Sequence, residues 1–430
     1  MSNQKKQWGA IIIMIALFAM IAFVTNLCSP MAVIVKNDFG ASNVLAQIGN
    51  YGNFIAYLVM GIPAGMLIAK FGYKKTALIG LFVGIIGILV QWLSGHVGKE
   101  SAFLVYLIGA FISGFTMCIL NCVVNPMLNL LGGGGKTGNQ LIQTGGVFNS
   151  AAAVAVYIIM GALIGDAAKA HISDATPALM IALAIFVIGF IVIFFTKIEE
   201  PEQAPVDVSL IKGAMKFRHF ALGTLAIFLY MGIEVGVPTY ILQYLSSQPT
   251  DTTPGLGMDA GIVGLIVAVY WLMMLVGRFV GASIGGKVSS RAMITTVSIA
   301  TLVLVLFGMY APADLMVTVP GINWAELELI TAEVPVGILA FLLVGLCTSV
   351  MWGGIFNMAV EGLGKYTAIA SGIFMTMVFG CAVMVAIQGW VADITANYMT
   401  SYWVVLFCAA YLLFYALVGS KNVNKDLPTE

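Results

Sequence analysis

Between residues 9 and 419 the chain passes twelve times through an apolar run long enough to cross a bilayer, at 9–35, 43–69, 76–95, 102–130, 139–165, 176–196, 220–245, 260–285, 292–310, 334–360, 368–392 and 400–419. A spanning helix takes about 20 mostly apolar residues, since in hydrocarbon every backbone N–H and C=O must be paired within the segment. Only 9% of the 430 residues are charged, against roughly a quarter in soluble domains, so the composition defines an all-α integral membrane protein with no part for nucleic acid. The first run follows Lys5 and Lys6 but continues to about Val35. That exceeds the roughly 7–15 apolar residues of a signal peptide, and the run reads as a retained span.

Twelve spans place sixteen of the nineteen Lys and Arg residues on the side of the two termini and leave only Lys36, Lys99 and Lys169 on the other. Basic loops stay cytoplasmic, so both termini are expected in the cytoplasm, with the chain in the cytoplasmic (inner) membrane. The longest polar stretch on that side runs from Lys197 to His219 and contains KIEEPEQAPVD. It divides the chain into an N-terminal six-helix bundle (1–196), a cytoplasmic linker (197–219) and a C-terminal bundle with a short tail (220–430). The halves echo one another: Asn26 stands four residues before Pro30, and Glu234 four before Pro238. Matched interrupted helices point to a site between repeats, and Gly236 with Pro238 predicts a bend or break just beyond Glu234. The outer loop 311–333, with Asp314, Glu326, Glu328 and Glu333, reads as a solvated acidic loop.

Glu234 is the one acidic residue placed deep in an apolar run. A charge at mid-membrane costs about 2.5–3.5 kcal/mol, so such a residue lines a cavity or pathway, or else is a protonated carboxyl bonded to a neighbouring helix. Around it the spans carry uncharged amides and aromatics. We expect a substrate site from Asn26, Asn50, Asn121, Asn125, Gln143, Asn149, Glu234, Tyr240, Trp352, Asn357 and Gln388, with Asn53, Tyr57, Tyr270 and Trp271 nearby in sequence. Amides and rings suit a polyhydroxylated solute with hydroxyls to bond and a C–H face to stack; helix-to-helix hydrogen bonding is the competing use. No Lys or Arg is placed deep in the spans, and Arg278 reads as an anchor near a cytoplasmic helix end. A neutral hexose is therefore expected over its phosphate. No metal or cofactor is expected. Gly132 to Gly135 with Lys136 and Thr137 fails the phosphate-loop spacing, His96, His171 and His219 lie in loops, and the six cysteines lack ligand spacing.

After the second span the chain reads Gly65-Met-Leu-Ile-Ala69-Lys70-Phe-Gly72-Tyr-Lys74-Lys75. This resembles the signature loop of the major facilitator superfamily, with Ala69 where that pattern has Asp, and it implies a gating role for Gly65, Lys70, Gly72, Lys74 and Lys75. Pro63-Ala-Gly65, Asn125-Pro126, FLYMGIEVGVPTYILQY, YWLMMLVGRFVG and IFNMAVEGLGKYT are similar to the fucose, glucose and galactose permease branch. The resemblance implies twelve helices in two pseudo-symmetric bundles, working as a monomer that imports a neutral monosaccharide by alternating access. The branch's coupling carboxylates fall on Ser29 and Asn121 here, so coupling passes to Glu234 with H+, is replaced by Na+, or is absent. The alternatives are an exporter, a carrier of another small polar solute, or a sensor that binds without transport; the short tail after Ser420 weighs against the sensor.

Overall fold

The computed structural model describes residues 7–39, 48–131, 135–164, 171–198, 200, 210–284, 288–323, 328–363 and 366–423. Helices α1 (Trp8–Phe39), α2 (Ile48–Ser94), α3 (Lys99–Leu131), α4 (Gly135–Ile164) and α5 (Thr176–Phe195) carry the first six spans, with two of them on α2. After a short α6 (Leu210–Met215), the other six are carried by α7 (Arg218–Ser246), α8 (Ala260–Ile284), α9 (Ser290–Tyr310), α10 (Val336–Thr348) with α11 (Met351–Val360), α12 (Thr367–Thr376) with α13 (Gly380–Thr395), and α14 (Tyr398–Phe414). Among the described residues ten stretches are long and apolar enough to cross a membrane, and the shorter apolar helices Gly52–Ile68 and Leu141–Val156 take the two remaining places.

The two spans on α2 are separated at Gly72 alone, where φ is 79° and ψ 173°. A side chain is strained at that positive φ, and a Cβ would also strike the Glu200 carboxylate. That carboxylate accepts from Tyr73 N at 2.8 Å and Lys74 N at 2.9 Å, while Lys74 Nζ donates to Phe194 O at 3.1 Å. An anion here satisfies backbone donors left open at a helix start. The signature loop, which has Ala69 in place of an acid, thus receives a carboxylate from the segment after α5. Of the other basic residues in the loop, Lys70 lies over the Phe71 ring and Lys75 is exposed. Glu200→Ala is expected to cost about 1–2 kcal/mol, as the loss of a good cap does. A lower melting temperature of the detergent-solubilised protein would register it, and an unchanged one would refute it.

Of the bend or break expected just beyond Glu234, the break does not occur, since α7 runs through Pro238 to Ser246. Proline removes the donor that would pair with the carbonyl four residues earlier, which is Glu234 O. The Tyr270 hydroxyl donates to that same oxygen at 3.1 Å, so a neighbouring helix repairs the gap. Interruptions fall elsewhere. The tenth expected span divides between α10 and α11, and the eleventh contains a 3₁₀ turn at Met377–Phe379. Beside them Ser349 Oγ donates to Leu346 O and Thr376 Oγ1 to Gly372 O, the back-bonding that bends helices. The acidic segment expected as a solvated outer loop keeps Glu328 and Glu333 exposed and also has regular structure. It contains antiparallel strands β1 (Met316–Asn323) and β2 (Glu328–Pro335), in register from Met316↔Pro335 to Asn323↔Glu328, as the β-branched alternation in MVTVPGIN permits.

Apolar burial does little to hold helices together when lipid is as apolar as the core; close packing and interhelical hydrogen bonds do the work. Tyrosines provide the bonds around α7. Tyr402 and Tyr411 of α14 donate to Val237 O at 3.2 Å and Leu222 O at 3.1 Å, and Tyr415, just beyond α14, to His219 O at 3.1 Å. The seams between halves are α4 against α8 and α2 against α12. At the second, Gly61 lies so near Thr376 that a Cβ would stand 2.9 Å from its backbone nitrogen.

Candidate functional site

A cavity enclosing about 1140 Å³ of empty space, its open mouth included, lies between the halves. From the first half it is walled by Thr25 and Asn26 of α1, Phe54 and Tyr57 of α2, Asn121 and Asn125 of α3, and Asn149 of α4. From the second come Glu234, Pro238 and Thr239 of α7, Trp271 and Arg278 of α8, and Trp352 of α11. Asn26 and Glu234, the echoing pair, therefore face one space from the first helix of each half. The volume is ample for a small ligand, and the wall alternates apolar surface with a few polar groups, as binding pockets do.

The polar side chains are held in place by their own helices and neighbours. Asn26 Nδ2 donates to Ala22 O at 2.8 Å, and Asn121 Nδ2 donates to the Tyr57 hydroxyl at 2.8 Å. Asn125 Nδ2 donates to Asn121 O at 3.1 Å, one turn back, as the spacing of the two asparagines required. Trp352 meets Phe374 edge-on at 5.6 Å and Tyr230 at 6.3 Å. Glu234 is half-buried, with the Tyr270 hydroxyl on its carbonyl and Arg278 as the cation in the same wall.

Arg278 corrects the sequence expectation. It is not a surface anchor but is 8% exposed and in the cavity wall. Its Nη1 donates across the seam to Gly146 O, to Ser150 Oγ at 2.8 Å and to Asn149 Oδ1 at 3.3 Å. Asn149 in turn donates from Nδ2 to Phe18 O at 2.9 Å, so one guanidinium is linked through it to α1. Its distance along α8 from the helix end suggested an anchor; what decided its place was the direction in which α4 approaches. Among the described residues Glu234 and Arg278 are the only charged ones in the wall, and their formal charges sum to zero.

Four expected site residues are not in the wall. Gln388 is fully buried, with Nε2 3.4 Å from Ser401 Oγ and Oε1 packed toward Gly236. The Tyr240 hydroxyl donates to Val385 O at 2.9 Å. Both face the interior of the second half, away from the seam. Gln143 and Asn357 are half-buried and do not reach the cavity. The side chain of Asn50 lies outside the described residues. Tyr57 and Trp271, noted in sequence only as neighbours, do line it, as do Thr25 and Thr239.

Twelve apolar helices in two sets around one polar cavity define a multi-pass membrane transport protein rather than an enzyme. The chain belongs to the Major Facilitator Superfamily, whose family model matches residues 13–386. It is 27% identical over 432 residues to the glucose/galactose transporter of Brucella abortus biovar 1 (strain 9-941), covering 98% of this chain and 96% of that one. It is 22% identical over 438 residues to the L-fucose-proton symporter of Escherichia coli (strain K12), covering 95% and 92%. Among solved structures, the superfamily transporter FucP in the outward conformation superposes with a TM-score of 0.72 at 20% identity, over 96% of this chain and 98% of that one.

Proposed function

We propose that this protein imports a neutral monosaccharide of the glucose, galactose or fucose type across the cytoplasmic membrane by alternating access, as a cation-coupled symporter. The observation that carries this reading is the wall of the cavity, in which, among the described residues, amides from the first half and indoles from the second surround a single acid and a single base of opposite charge. Such a wall suits hydroxyls and a C–H face. It does not favour a net anion, because Arg278 is engaged by α4 and opposed by Glu234. Relatives named as glucose/galactose transporters and an L-fucose-proton symporter support the same class of solute. With Arg278 set aside as a cavity-wall residue, the twelve-span reading still assigns fifteen of nineteen basic residues to the side of the termini, which supports cytoplasmic termini and an inner-membrane location. The cavity is complete within one chain, which supports a monomer as the working unit.

Glu234 is our candidate for the coupling proton, and Na+ is the other ion to test. Vesicles loaded with the protein should take up at least one radiolabelled neutral hexose, and an imposed inward proton gradient should drive accumulation where a sodium gradient does not. Failure of every neutral monosaccharide in the panel either to accumulate or to exchange would sink the sugar assignment.

A further inference from the structure

We infer that Trp271, Asn125 and Thr25 are specificity-determining ligand residues, with the Trp271 indole N–H as donor, Asn125 Oδ1 as acceptor and the Thr25 hydroxyl as either. The inference rests on the proposed sugar reading and deepens it. Among the described residues a few buried side-chain polar atoms have no hydrogen-bond partner, and three belong to cavity-wall residues: Thr25 Oγ1, Asn125 Oδ1 and Trp271 Nε1. Buried donors and acceptors are paired in nearly all native structures because leaving one unmade is costly, so unpaired atoms grouped at a cavity mark the place of a missing partner.

The three atoms come from both halves, Thr25 on α1 and Asn125 on α3 facing Trp271 on α8. Asn125 and Trp271 are each 9% exposed. Each is steadied by a neighbour. Asn125 is tethered through Nδ2 to Asn121 O. The Trp271 ring stands at 89° to Tyr270, 5.4 Å between centroids, and Tyr270 is itself held by Glu234 O and Thr348 Oγ1. A ligand that meets both must accept one hydrogen bond and donate another. A ring bearing several hydroxyls does so; a solute with only acceptors or only donors does not. Because the partners lie on opposite halves, such a ligand would bridge the seam.

Equilibrium binding to the purified full chain, with D-glucose, D-galactose and L-fucose, then each mono-deoxy derivative of the tightest binder, tests this. One derivative should bind wild type roughly three- to tenfold more weakly than its parent, as the loss of a neutral hydrogen bond predicts. Trp271→Phe, which keeps a ring and removes the N–H, should weaken the parent by a similar factor and become indifferent to that same hydroxyl. Asn125→Ala, read on the same series, should become indifferent to a different hydroxyl, and it carries the test should the Trp271 variant melt during purification. If the variants keep the wild-type profile at unchanged parent affinity, the inference is overturned and the hexose reading stands. If wild type binds none of the three hexoses, both are overturned.

Discussion

Arg278→Ala is expected to abolish transport and to destabilise the protein by about 1.5–3 kcal/mol, the usual worth of buried hydrogen bonds made by a charged group. The guanidinium is the group through which α8 is joined to Gly146, Asn149 and Ser150 of α4, and it is also the cation opposing Glu234. Alanine removes the donor that Asn149 Oδ1 and Ser150 Oγ share and leaves the half-buried Glu234 without the opposite charge of the cavity wall. Arg278→Lys keeps the charge but not the fork, so it should restore part of the stability and little of the transport. A double variant sharpens the test. Glu234→Gln combined with Arg278→Gln should melt higher than Arg278→Gln alone, because the second change removes the uncompensated carboxylate. Equal melting temperatures for the single and double variants would rule out charge compensation across the cavity, leaving Arg278 as a packing residue only.

Glu234→Gln is expected to abolish concentrative uptake while sparing exchange of solute down its own gradient. Glutamine keeps the size of the side chain and its capacity for hydrogen bonds, but it cannot take up and release a proton. Positions that carry carboxylates in the proton-coupled permeases this chain resembles are Ser29 and Asn121 here, so among the cavity-wall residues Glu234 is the one acid. The Tyr270 hydroxyl bonds the backbone carbonyl of residue 234, so the substitution leaves the path of α7 unchanged. In vesicles with an imposed pH difference, the variant should equilibrate labelled hexose without exceeding the external concentration. Accumulation against the gradient by the Gln variant would refute coupling through this residue. Loss of both exchange and binding would make it chiefly a sugar ligand, with sodium coupling or facilitated diffusion to follow.

The hydropathy of the chain carried the span count and the place of the echoing pair, because apolar length and polar punctuation are properties of the sequence alone. It could not say which way each helix is turned. Gln388 and Tyr240 looked as suitable as Asn121 and Asn125, yet the first two bond within their own half and the second two face the cavity. A helix that is apolar nearly all round offers no amphipathic stripe to reveal its facing, and polar residues serve both cavity and helix-to-helix bonding. Glu200 escaped notice for a related reason, being remote in sequence from the loop whose helix start it caps.

The sequence by itself determined that this is a twelve-span membrane protein in two related halves, with one deep acid and matched polar residues ahead of Pro30 and Pro238. These follow from the bilayer, which admits only long apolar helices and makes a charge in the middle of an apolar run conspicuous, as Glu234 was and Arg278, nearer a helix end, was not. Only the tertiary structure decided that α7 passes through Pro238 unbroken, that Arg278 crosses the seam to α4, and that Trp271 and Asn125 line the cavity while each holds an unpaired buried atom. Each depends on which neighbour stands within about 3 Å of a given atom, a distance set by how helices far apart in the chain are rotated and packed against one another.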